Sequence, residues 1–105
     1  MEHVFVYITA ADQKEAEMLS RHIVQERLAA CTNILGNISA LFFWDDAVQK
    51  EQEVALIAKT TVSAFPRLQE RVKELHSYEC PCVIALPIAM GNPDYLSWID
   101  NEVAN

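Results

Sequence analysis

Within residues 76–82, His76-Ser77-Tyr78-Glu79-Cys80-Pro81-Cys82, the chain gathers an imidazole, a phenol, a carboxylate and two thiols. An imidazole next to a carboxylate is suited to moving a proton or to holding Cu(II) or Zn(II). Cys80 and Cys82 flank Pro81, and side chains two apart on an extended strand share a face, so two soft sulfur ligands can meet one Cu(I) ion. Each group also has a plainer use. His76 falls at or just past the end of a helix, where it can cap the negative end of the dipole with Glu79 close enough in sequence to pair. Free cysteine is among the most buried residue types, and Cys31, the third thiol, reads as core.

A second set of residues is less reactive but placed where burial is costly. Lys59 stands between Ala58 and Thr60 on an apolar run, where an unpaired ammonium is expensive to bury, so a carboxylate partner is expected, Glu53 or Glu79. Trp44 and Trp98 read as fillers of subunit interfaces, because aromatic rings dominate the area of such surfaces. Tyr78 joins them as an interface or structural residue.

These residues need elements to hold them. His3 to Ala10 is a β-branched and aromatic strand, and Asp12 with Glu15 makes a helix-capping pattern. From Asp12 to Leu28, Ala16, Leu19, Ile23, Val24 and Leu28 recur near helical spacing, giving one apolar face. Cys31 to Trp44 reads as a long second strand with a bulge or bend at Gly36-Asn37, and Asp45-Asp46-Ala47 as a hairpin turn. Gln49 to Thr60 is the third strand. Ser63 is the expected N-cap of a second helix over Phe65 to Leu75, with Pro66 tolerated in its first turn. Cys80 to Ala89 is the fourth strand, and Asn92-Pro93 opens a short C-terminal helix carrying Tyr95, Leu96, Trp98 and Ile99. The order βαββαβ predicts an α+β fold of ferredoxin-like type, an antiparallel sheet with two helices on one face, in a single domain over 1–105.

Helices on one face leave the other to solvent, and that face of a monomer alternates to polar residues. Here Ile38, Ala40, Phe42 and Trp44 share one face of the second strand while Leu41 and Phe43 occupy the other, so a second cover is expected. The balance of 8 basic against 15 acidic residues, a net charge of -7, opposes binding to a phosphate backbone, so no nucleic-acid partner is expected. No run approaches the roughly 18 apolar residues of a membrane span. The N-terminus has no basic region and its apolar run stops at Asp12, which predicts a cytoplasmic protein with reduced thiols. There is no Walker loop, His-Glu-x-x-His, Gly-x-Ser-x-Gly or aromatic RNA-binding signature, and only 2 glycines are available for a phosphate-cradling loop.

Ala30-Cys31-Thr32-Asn33-Ile34, Trp44, Lys59-Thr60, His76-Ser77-Tyr78-Glu79-Cys80-Pro81 and Tyr95-Leu96-Ser97-Trp98, in this order from about Val4 to Trp98, resemble the CutA family of divalent-cation tolerance proteins. The resemblance implies a homotrimer whose sheets pack face inward and whose long hairpins pair across subunits. It implies tolerance of divalent cations such as copper, by binding and not by catalysis. Asn33, Glu53 and Lys59 match polar positions of the family pattern. Relatives with a proposed copper site carry a first-strand cysteine and two adjacent histidines after the second helix; Ile8, Leu75 and His76 stand at those positions here, and only His76 keeps a ligand. At the hairpin tip the family's Gly-Lys is replaced by Asp46-Ala47. The alternative is a small-molecule sensor akin to PII proteins, which share the core but carry a long loop where this turn is short. An enzyme using His76, Tyr78 and Glu79 at a subunit cleft is a third reading. The expected metal chemistry is weak Cu(II) or Zn(II) binding by His76 and Glu79 with a partner subunit, and the second route is Cu(I) at Cys80 and Cys82.

Overall fold

A computed structural model describes residues 3–104. The elements are β1 His3–Ala10, α1 Gln13–Gln25, β2 Cys31–Trp44, β3 Ala47–Thr61, α2 Phe65–Leu75, β4 Val83–Pro87 and α3 Pro93–Glu102. The four strands form one antiparallel sheet in the order β2-β3-β1-β4, the ferredoxin-like arrangement expected from the sequence.

Alternation along the strands sorts the side chains between two faces. Val4, Val6, Ile8 and Ala10 of β1 pair with Thr60, Ala58, Leu56 and Val54 of β3, and all eight are buried. They meet Ala16, Leu19 and Ile23 from α1 and Leu68 and Val72 from α2 in one core. A smaller cluster of Ala30, Ala64, Ile99 and Val103 seats α3 at the sheet's edge. The opposite face carries Phe5, Tyr7 and Thr9 of β1 beside Lys59, Ile57 and Ala55 of β3, and Ile84 and Leu86 of β4 are half exposed there.

Local sequence explains most boundaries. The Asp12 carboxylate accepts from the Glu15 N–H at 2.8 Å and Glu15 accepts from the Ala11 N–H at 2.9 Å, a reciprocal cap for α1. That helix stops at Gln25, short of the expected Leu28, because Arg27 turns into the left-handed region at φ 60°. The register of β2 slips between Ile34 and Gly36, and Gly36 takes φ 105°, a bulge of the expected kind. Asp45 and Asp46, with φ 54° and 61°, form the two-residue turn between β2 and β3. Both positive values fit a type I′ turn, whose twist matches that of the flanking strands.

Two further expected boundaries are corrected. Ala64, not Ser63, occupies the N-cap of α2, and its N–H is received by Thr61 Oγ1 at 3.2 Å. The fourth strand begins at Val83 and ends at Pro87, so neither Cys80 nor Cys82 lies on it. Pro81 has no N–H to give a strand ladder, which delays pairing until after Cys82.

The hairpin from Ile38 to Glu53 extends beyond the helix layer and gives the chain its long dimension, 46 × 25 × 22 Å. Leu41, Phe43, Trp44 and Val48 are each about two-thirds exposed there, with Phe42 somewhat less so.

Candidate functional site

The loop from His76 to Cys82 joins α2 to β4 and crosses the end of β1. His76 is the C-cap residue of α2, and its side chain is fully buried. The Thr9 carbonyl lies 2.8 Å from His76 Nε2 and can only accept, so Nε2 carries the proton and donates. Nδ1 is then the acceptor for the Tyr78 N–H at 3.0 Å. Both ring nitrogens are thereby used in holding the loop to β1, and the ring packs 4.7 Å from that of Tyr78.

The carboxylate near His76 is Glu15 of α1, whose Oε1 lies 3.7 Å from Nδ1; the expected partner Glu79 faces the other side of the loop with Gln69 and Lys73. Glu15 also accepts from the Ser77 N–H at 2.8 Å. Burial pushes its pKa up, but the N–H of Ala11 and the hydrogen bonds from Ser77 outweigh that and leave it below the usual carboxylate value.

Beyond this knot the loop walls a cleft of about 680 Å³ lined by Thr9, Phe42, Glu51, Glu53, Tyr78, Cys80 and Cys82, with Ala11 and Gln52. The Tyr78 hydroxyl donates to Glu53 Oε2 at 2.8 Å. Burial, and then Glu53 as acceptor and as charge, push the Tyr78 phenol up to about 12. Burial also raises the Cys82 thiol, and the Glu53 charge adds to that against a hydrogen bond with Thr9. Cys80 is exposed and Cys82 half-buried, both as free thiols. Glu51 and Glu53 form no ion pair among the described residues.

Lys59 and Cys31 are cross-strand neighbours near the far end of the same face. Lys59 has no carboxylate within reach among the described residues; its Nζ donates to the Tyr95 hydroxyl at 3.3 Å and stands 5.5 Å from the ring centroid. That corrects the expected pairing with Glu53 or Glu79. A tyrosine on α3 meets the ammonium, as both hydrogen-bond acceptor and π face. Cys31 Sγ lies 3.5 Å from the same hydroxyl and is half-buried instead of core. Trp98 packs on Tyr95 at 5.5 Å.

The fit to a metal follows from these contacts. A His76 whose two nitrogens are engaged, with Glu79 turned away, does not form the expected Cu(II) or Zn(II) ligand pair. Among the described residues no three His, Cys, Asp or Glu side chains converge as a closed metal site would need. Glu15, Glu51 and Tyr95 went unnoticed in the sequence as partners of the site. For Glu15 the signal was present in its capping position, one turn into a helix that starts beside the end of β1.

Residues 4–102 match the family model described as CutA1 divalent ion tolerance protein. The divalent-cation tolerance protein CutA of Thermus thermophilus is 46% identical over 94% of this chain and 95% of its own length. Its solved structure superposes with a TM-score of 0.94 over 99% of this chain and 100% of that one, at 44% identity. The Archaeoglobus fulgidus structure, described as a periplasmic divalent cation tolerance protein CutA, gives a TM-score of 0.94 at 39% identity over 97% and 99% of the two chains. A chloroplastic CutA of Arabidopsis thaliana is 41% identical over 97% of this chain and 56% of its own length. The expectation of a cytoplasmic protein is therefore corrected. One solved structure of this fold is described as periplasmic and one relative as chloroplastic, which points away from a plain cytoplasmic assignment. No helix among the described residues is long and apolar enough to cross a membrane.

Proposed function

We propose, from the premise that this chain belongs to the CutA1 divalent ion tolerance family, that it serves cation tolerance by binding metal ions such as copper, as a homotrimer and without catalysis. The observation that carries the binding role is the cleft: Glu51 and Glu53 face it from β3, two free thiols face it from the loop, and no basic residue lines it. A concave site with one sign of charge concentrates ions of the other sign. His76 serves as the post that fixes Tyr78 in the cleft wall. The two-residue turn at Asp45-Asp46 leaves no long loop of the PII type.

The trimer is supported by a separate observation. Two-stranded hairpins are marginal in water, yet this one carries Leu41, Phe42, Phe43, Trp44 and Val48 largely exposed, and Ile84 and Leu86 extend the apolar surface across β4. Burying each large side chain contributes roughly 1.5 to 3 kcal/mol, which favours covering this surface with further copies. Trp44 at the hairpin tip and Trp98 on α3 are also exposed, by 70% and 39%.

Calorimetry with Cu(II) and Zn(II) on the wild type and on Glu51→Gln/Glu53→Gln tests the binding role; heats that are equal in the two proteins sink the cleft as the cation site. Light scattering tests assembly. A trimer that dissociates at higher concentration in Trp44→Ala is expected, and a folded wild-type monomer at micromolar concentration would refute it.

A further inference from the structure

We propose that Cys80 and Cys82 form a two-thiolate site for Cu(I) at the cleft walled by Tyr78 and Glu53. This rests on the reading that the chain binds metal, and it names an ion and a ligand set distinct from the family pattern at Ile8, Leu75 and His76. Both thiols are free, Cys80 is exposed and Cys82 half-buried, and both line the cleft. Pro81 between them disfavours helical backbone at Cys80, and both thiols open on the same cleft.

The donor set selects the ion. Zn(II) needs about four ligands in a tetrahedron, and among the described residues no three suitable side chains converge. Cu(I) is soft, prefers thiolate and is satisfied by fewer ligands. Glu53, already receiving the Tyr78 hydroxyl at 2.8 Å, and Glu51 supply negative potential at the entrance without entering the ion's shell. Binding forms two Cu–S bonds and releases the two thiol protons. Copper remains Cu(I) throughout, so no oxidant or reductant takes part.

The test is an anaerobic titration of the reduced full chain with Cu(I) against a chromophoric Cu(I) chelator. Wild type and Cys31→Ser should each withdraw one Cu(I) per chain and develop the ultraviolet thiolate-to-copper band. Cys80→Ser and Cys82→Ser should each weaken binding at least about tenfold, and the double variant should lose the band. Retention of the band in the double variant, or its loss in Cys31→Ser with circular dichroism unchanged, overturns the proposal. Alkylation mapped by mass spectrometry checks the same point without substitution: Cu(I) should protect Cys80 and Cys82 in the wild type, and equal labelling with and without Cu(I) refutes the site. Zn(II) and Cu(II) titrations of the double variant keep the two readings apart. Retained Zn(II) or Cu(II) binding with Cu(I) lost leaves both standing, whereas divalent binding by the wild type with no Cu(I) uptake removes this one alone.

Discussion

The covered and open faces of the sheet are built from the same strands, residue by alternate residue, and they carry different burdens. On the covered side Val6, Ile8, Leu56 and Ala58 are fully buried beneath α1 and α2, and nothing there can ionise. On the open side the apolar residues are interrupted by Lys59, Glu53 and Thr9, and the reactive groups of the 76–82 loop gather at that side's end. One face is committed to holding the chain together, which frees the other to present charge, thiols and exposed rings. The difference teaches where the same pleat can tolerate polar chemistry: where a helix does not need to dock.

The sharpest way to break this comparison is a matched pair of truncations. Leu56→Ala, on the covered face, should cost about 2 to 5 kcal/mol in urea unfolding at any protein concentration. Leu86→Ala, on the open face, should change dilute samples by less than about 0.5 kcal/mol and act only where the chain assembles. Equal, concentration-independent losses would show that the two faces are not different in kind.

His76→Ala comes next, at about 2 to 3 kcal/mol, because it leaves the Thr9 carbonyl and the Tyr78 N–H without partners inside the protein. The same variant should keep metal binding in calorimetry to within a few-fold, apart from any loss of folded protein. A loss of binding with folding intact would return His76 to the role of ligand.

A smaller effect concerns acid. Glu15 has a folded pKa below its ordinary value of 4.5, so its contribution is present above that value and lost as pH falls through the depressed one. Glu15→Gln should therefore flatten the acid limb of a stability profile while lowering the plateau by about 1 to 3 kcal/mol, the cost of N–H groups left with a weaker acceptor. An acid limb of unchanged steepness would place that titration elsewhere. Last, Asp46→Gly should raise the melting temperature through a gain of about 0.5 kcal/mol, since glycine adopts φ 61° without a side-chain penalty. A fall in melting temperature would mean that the aspartate carboxylate stabilises the turn.

Much of the fold was legible because period and punctuation agreed. The alternation from Val4 to Ala10, the helical spacing of Ala16, Leu19 and Ile23 and the bulge at Gly36 each have a local cause. The site was less so. Cys80 and Cys82 were expected on a strand, but Pro81 postpones the ladder and places them on a loop, where exposure changes their chemistry. His76 was expected to pair with Glu79, close by in sequence, but the carboxylate beside it is Glu15 of α1, 3.7 Å from Nδ1. Lys59 found a phenol on α3 where a carboxylate was expected. Such pairings join distant elements, and no local period encodes them.

The two-residue turn at Asp45-Asp46 also bears on the order in which the chain can fold. Every rung between β2 and β3 joins residues arranged around that turn, so this ribbon can close from its tip within microseconds, each rung shortening the loop left for the next. By contrast, β1 must find Ile57 and Ile84 from opposite sides of the chain and lies between strands that arrive later in synthesis. Loop-closure entropy is greatest for that insertion. The rate-limiting event is therefore expected to be the threading of the N-terminal strand into a gap held open by its neighbours, with the long ribbon already formed and its rings still in water.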